Sequence, residues 1–208
     1  QELTYRVICG TDSEEIPVSL EGNSDSFRMK LSFLPNGNCV ILPNINGRGY
    51  GFFKITEGES SGLWSVLRSS EDEVLKGSLL ITLYENLRWK TISPQGFREE
   101  MLAYLPNESN SLLFSMALSY LGDCQRIFPS DSRPLEQVLW KIVTTNPVSQ
   151  HRLQAFRLYR SIADSEEAVQ CLYTLWQERK APKDCALSES DYIGLSYMLA
   201  MHLPEKAD

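Results

Sequence analysis

A chain of 208 residues with a formal net charge of -7 has the length for one large domain or two small ones and can bury a sizeable core. The acidic balance argues against a nucleic-acid backbone as partner, because phosphate neutralisation needs clustered Lys and Arg; no apolar run approaches the roughly 20 residues that cross a bilayer. The opening QELTYRVICG lacks the basic-then-apolar layout of a signal peptide, so the chain is expected to be mature or cut from something longer.

Five short strands are expected first. LTYRVIC alternates Leu3, Tyr5, Val7 and Cys9, and IPVSL repeats Ile16, Val18 and Leu20. FRMKLSF sets Phe27, Met29, Leu31 and Phe33 against Arg28, Lys30 and Ser32, the period of a strand with one wet face. NCVIL and GYGFFKI supply the fourth and fifth runs, with PNG and PNINGRG as turn signals. Close spacing without helical patterns implies an antiparallel sandwich or barrel over residues 1–57. Tyr5, Phe27 and Phe33 share the buried parity, which disfavours a sandwich that presents an aromatic face to sugar or peptide.

From Glu57 the pattern turns helical. SSGLWSVLR opens a short helix, and Ser70 with Glu73 reads as a capping box for EDEVLKGSLLITLYENLRW. Ser93-Pro94 begins the next, running through Phe97, Met101 and Leu105. SLLFSMALSYL is apolar on nearly every side, as a helix packed between neighbours would be. Further helices are expected at about 134–144, 148–163, 166–180 and 189–202, begun by Asn146-Pro147, Asp164 with Glu167, and Ser188 with Asp191. The fold class is therefore α+β, a small antiparallel β-sandwich (1–57) followed by an all-α antiparallel helical array (58–208) of HEAT/armadillo-like type, although no fixed sequence period recurs.

Catalytic signatures are missing. His151 and His202 belong to no HExxH or metal-spaced pair, and His151, in the polar SQHRLQ, is expected to be a solvated helix residue. No GxSxG or Walker sequence occurs, and GRGYG leads into a strand pattern instead of the helix N-terminus that a phosphate needs. Glu99-Glu100 and Glu166-Glu167 sit in first helical turns, where the helix dipole accounts for them. Cys9, Cys39, Cys124, Cys171 and Cys185 show no CxxC spacing and are expected mostly as buried small hydrophobes, with neither structural zinc nor a disulfide scaffold. This usage leaves periplasm and cytoplasm both open. Trp64, Trp89, Trp140 and Trp176 are expected in core packing. One basic stripe stands out: Arg152, Arg157 and Arg160 share one side of a helix, either as a solvated, partly paired face or as a site that holds a carboxylate. On spacing alone there is no catalytic residue, no metal ligand and no cofactor site, and the outline is that of an accessory or binding region.

LYTLWQERKAPKDCALSESDYIGLSYMLAMHLPEKAD, residues 172–208, resembles the C-terminal helical region of aminopeptidase N-like zinc metallopeptidases, particularly bacterial members. Leu172, Tyr173 and Trp176 stand where that family ends a helix in Leu-Tyr-x-x-Trp. Leu187, Ser188, Asp191 and Tyr192 match its Leu-Ser-x-x-Asp-Tyr, and Leu199, Leu203 and Pro204 its Ala-rich helix ending in Leu-Pro. Pro43, Asn44, Gly49 and Tyr50 are similar to the strand that closes the family's small sandwich. LKGSLLITLYENL and FREEMLAYLPNESNSLLFSMALSYL resemble its following helices.

The resemblance implies a non-catalytic C-terminal portion: a spacer sandwich and a helical wall of the substrate chamber, partnered by the catalytic domain of the same polypeptide and by peptide substrate. HExxH with its distant Glu, the Gly-x-Met-Glu-Asn motif and the catalytic Tyr lie upstream in that family and none is here, so zinc is expected only in the missing catalytic domain. The end at Asp208, just after IGLSYMLAM, is expected to be a truncation. Arg152, Arg157 and Arg160 are the candidate substrate-binding residues, for the C-terminal carboxylate of a peptide. The rival expectation is a non-enzymatic helical array that binds a protein partner.

Overall fold

The computed structural model describes residues 2–19, 28, 30–35 and 39–204. They form an α+β protein with two compact units, Gln1–Glu100 and Met101–Asp208, so the change of pattern at Glu57 falls inside the first unit.

Among the described residues the first unit holds three strands, β1 (Glu2–Cys9), β2 (Asp12–Ser19) and β3 (Cys39–Leu42), in an antiparallel sheet of order β2-β1-β3. A tight turn at Gly10, with φ of 64°, joins β1 to β2 in a register from Glu2↔Ser19 to Cys9↔Asp12. The alternation read from LTYRVIC holds: Leu3, Val7 and Cys9 are buried, with Val18 and Leu42 beside them. Pro17, which has no N–H to donate, sits in β2 on the sheet's edge.

The pairing of β1 with β3 places Cys9 opposite Cys39, and the two form a disulfide with a Cα–Cα distance of 4.3 Å. This one bridge was not expected; the reading of the cysteines as mostly buried small hydrophobes holds for Cys9, Cys124 and Cys185, while Cys171 is free and half-buried. Two residues 30 apart in sequence become neighbours through sheet register alone, which spacing does not display.

Of the expected strand FRMKLSF, Phe27 and Met29 lie outside the described residues, as does Leu20 of IPVSL, and Arg28 and residues 30–33 belong to no strand. GYGFFKI is also not a strand. Its backbone pairs instead with a side chain: the Ile55 N–H donates to Asn86 Oδ1 at 2.9 Å, and Asn86 Nδ2 donates to the Phe53 carbonyl at 2.8 Å. Before it, Asn44, with φ of 49°, folds PNINGRG into a turn by accepting the Gly49 N–H on Oδ1 at 2.6 Å and donating from Nδ2 to the Gly49 carbonyl at 3.0 Å. A Cβ on Gly49 would come within 2.0 Å of Leu3 Cδ2 and 2.8 Å of Asn44 Oδ1, so glycine is required by close approach.

Helix α1 (Glu57–Ser69) starts at a capping box of Thr56 and Glu59 and packs Leu63, Trp64 and Leu67 inward, against β3 and α2. For α2 (Glu73–Arg88) the cap is Asp72, which accepts from the N–H groups of Val74 and Leu75, and not Ser70 with Glu73. Asp72 sits one residue before the helix, whereas Ser70 ends the preceding turn and receives the Asp72 N–H. Helix α3 (Pro94–Tyr104) begins at Ser93 as expected, and Phe97 meets Trp64 edge-on at 5.5 Å. Trp89, expected in the core, is 68 % exposed beside Phe52, because it is the C-terminal cap of α2 and follows the last buried turn.

The second unit contains a short 3₁₀ turn (Leu105–Asn107) and the helices α4 (Ser111–Ile127), α5 (Arg133–Thr145), α6 (Ser149–Ile162), α7 (Glu166–Glu178) and α8 (Glu189–His202). Helix α6 is central, packing against α4, α5 and α8, and α7 packs against α8. Phe114, Leu121, Leu139, Phe156, Leu172 and Leu195 fill the fully buried interior. α7 begins at Ser165, one residue after the expected Asp164. Among the described residues no helix is long and apolar enough to cross a membrane.

Candidate functional site

The three arginines of the basic stripe project from α6 toward the segment that leads into α8. Arg157 Nε donates to Asp191 Oδ1 at 2.9 Å and Nη2 to Oδ2 at 3.3 Å, while Arg160 Nη1 donates to the Asp191 carbonyl at 2.9 Å. Arg152 donates from Nη1 to the Lys183 carbonyl at 2.7 Å and from Nε to the Asn146 carbonyl, and lies 3.4 Å from Asp184 Oδ2. The carboxylate held by this stripe is thus one of the chain's own.

Asp191 is the hub. It is buried, and its Oδ2 accepts the Ser188 N–H at 3.0 Å and hydroxyl at 2.7 Å, completing the capping box read from the sequence. Burial alone would raise its pKa, but hydrogen bonds from Arg157 and Ser188 outweigh that and hold it down to about 2.

A second polar cluster joins α5 to the start of α7. Glu136 is buried, and its Oε1 accepts from the Ser132 hydroxyl at 2.8 Å and from the Asp164 and Ser165 amides at 2.8 and 3.1 Å, while the Ser165 hydroxyl donates to Oε2. Burial opposes the charge, yet the hydrogen bonds from Ser165, Asp164 and Ser132 keep the carboxyl below its usual range. Beside it opens a groove of about 550 Å³ between α5, α6 and α7, lined by Glu136, Trp140, Tyr159, Glu167 and Cys171 with Arg133 also in the wall. Trp140 and Tyr159 lie 5.1 Å apart, tilted by 36°. Burial raises the pKa of the Tyr159 hydroxyl, and neighbouring Cys171 and Glu136 add to the shift.

His151 is fully buried, which corrects its reading as a solvated residue. Its ring stacks on Phe114 at 4.0 Å with a 7° interplanar angle, and Nε2 lies 3.0 Å from the Ser111 hydroxyl. SQHRLQ looks polar, but His151 falls on the side of α6 that carries Ala155, Phe156 and Tyr159 into the core, so helical phase decides over local composition. Burial lowers its pKa more than the charge of Glu108 raises it.

Sequence reasoning brought out the arginines but missed Glu136 and the groove. Ser132 with Glu136, and Ser165 just before an acidic helix start, were the available signals; their convergence depends on how α5 meets α7. Among the described residues no three His, Cys, Asp or Glu side chains gather to hold a metal ion. Compared with known proteins, the chain matches no family model, no curated protein and no solved structure.

Proposed function

We propose that this chain is a non-catalytic portion of a zinc aminopeptidase of the aminopeptidase N type, in which the N-terminal sandwich is a spacer and the helices form a HEAT-like wall of the peptide chamber. The observation that carries the reading is the joint at Asn44 and Gly49: the residues behind the resemblance lie where a small antiparallel sheet hands over to a run of helices, and their identity there is dictated by backbone geometry. The same holds at the other end, where Ser188 and Asp191 cap α8 and Trp176 Nε1 donates to Ser196 Oγ at 2.8 Å. The packing of α6 on α4 and α8, with α5 alongside, supports a layered array of helix pairs. On this reading zinc is held by the catalytic domain of the parent polypeptide, as the resemblance implies.

Two measurements test this. Sequencing the native locus should find an HExxH-bearing domain encoded in frame ahead of Gln1, and a start codon beside Gln1 would overturn the reading. The chain alone, supplied with zinc and an aminoacyl chromogenic substrate, should give no turnover; sustained metal-dependent hydrolysis would also overturn it.

A second reading, a non-enzymatic array that binds a protein partner, draws on α8. Ile193, Tyr197 and Met201 repeat every fourth residue along its exposed side. The locus sequence separates the two readings.

A further inference from the structure

We propose that the groove between α5, α6 and α7 binds an organic cation of the size of a lysine or arginine side chain. Its volume of about 550 Å³ lies within the roughly 300–1,000 Å³ typical of small-ligand sites. Tyr159 supplies a buried floor and Trp140 a half-buried wall, and the two rings, tilted at 36°, offer π faces that attract a desolvated cation.

The charges around the groove select the sign. Glu136 and Glu167 both line it, and Arg133 is the guanidinium in its wall. That guanidinium is bonded to Asp131 outside the groove, with Nε at 2.9 Å from Oδ1 and Nη2 at 2.7 Å from Oδ2, and its single charge also reaches Glu167 and Glu136, one positive charge against two negative ones in the lining. The two carboxylates then leave a net negative wall. Glu136 is anchored by four donors from Ser132, Asp164 and Ser165, which fix it in place and keep it ionised. Three of them fall on Oε1 and one on Oε2, and a carboxylate oxygen accepts about two, so Oε2 has capacity for one more donor. Glu167, exposed in the first turn of α7, reaches the same space from the rim. An ammonium or guanidinium would lie over the rings with its donors toward these two carboxylates. Nothing in the groove depends on the peptidase reading.

The test uses the full chain labelled with 5-fluorotryptophan, the Trp140 signal being assigned with Trp140→Phe. Arginine amide should shift that signal saturably and slow the alkylation of Cys171, the half-buried free thiol in the wall. Citrulline amide, which keeps the same α-amino group but has an uncharged urea in place of the guanidinium, should bind about fivefold more weakly or worse. Glu167→Gln, an exposed change that leaves the Ser165 cap intact, should weaken arginine amide roughly threefold without altering citrulline amide. Equal binding of the two amides would mean that the groove does not read the side-chain charge, and would overturn the proposal. A Trp140 signal unmoved by millimolar arginine amide in the folded chain would overturn it too.

Discussion

Asn86 hydrogen-bonds the backbone of Ile55 across 31 residues of sequence, and with the Phe53 carbonyl, the Thr82 carbonyl and the Thr91 hydroxyl it uses both donors and both acceptor positions of one buried amide. The side chain thus does for the segment before α1 what a neighbouring strand would do. Asn86→Leu keeps the volume but strands the Ile55 N–H and the Phe53 carbonyl, and should cost about 2–4 kcal/mol. Denaturant unfolding measures the loss, and hydrogen exchange at the Ile55 amide should accelerate in the same variant. Unchanged protection at Ile55 would contradict the assignment.

Asp191 makes stability depend on acid. Its folded pKa of about 2 lies below the ordinary carboxylate value, so the stabilisation is present above about pH 4 and is lost as pH falls through the folded value. The magnitude is about 2 kcal/mol. Asp191→Asn should flatten the acid limb of the second unit's stability profile below pH 4, and a limb as steep as in the parent chain would count against it.

His151 acts in a different window. Its folded pKa is lowered, so below the unfolded value of about 6.5 the unfolded chain binds a proton that the folded chain refuses, and stability falls as pH drops through that range. His151→Phe should remove this slope between about pH 6.5 and 5 while leaving the Asp191 limb in place. Thermal melting of both chains over that interval is the check.

The Cys9–Cys39 bridge closes a loop of separation 30 and restricts the unfolded chain. Reduction should lower the stability of the first unit by about 2–4 kcal/mol. Cys9→Ser with Cys39→Ser should match the reduced protein and be insensitive to thiol reagent, and a reduced chain as stable as the oxidised one would contradict this.

Much of the fold was legible because it follows from local rules. The helical order came from periodicity, and the Ser188–Asp191 box from three-residue spacing that needs no tertiary partner. GYGFFKI misled because an apolar run after a turn marks an extended segment but does not say what pairs with it, and the partner was Asn86, a polar residue within an apolar helix. Trp89 misled because helix phase ends one residue before it. The arginine stripe was visible as a stripe, yet its target, Asp191, stood 31 to 34 positions away. The groove joins α5, α6 and α7, a convergence that no single window contains.

The three-stranded sheet has a further consequence, in the company it avoids. Among the described residues its outer strands carry Pro17 on one side and a run of only four residues, Cys39–Leu42, on the other. A missing donor and a short ladder each discourage another chain from adding its own strand. Both described edges are thereby poor templates for edge-to-edge aggregation.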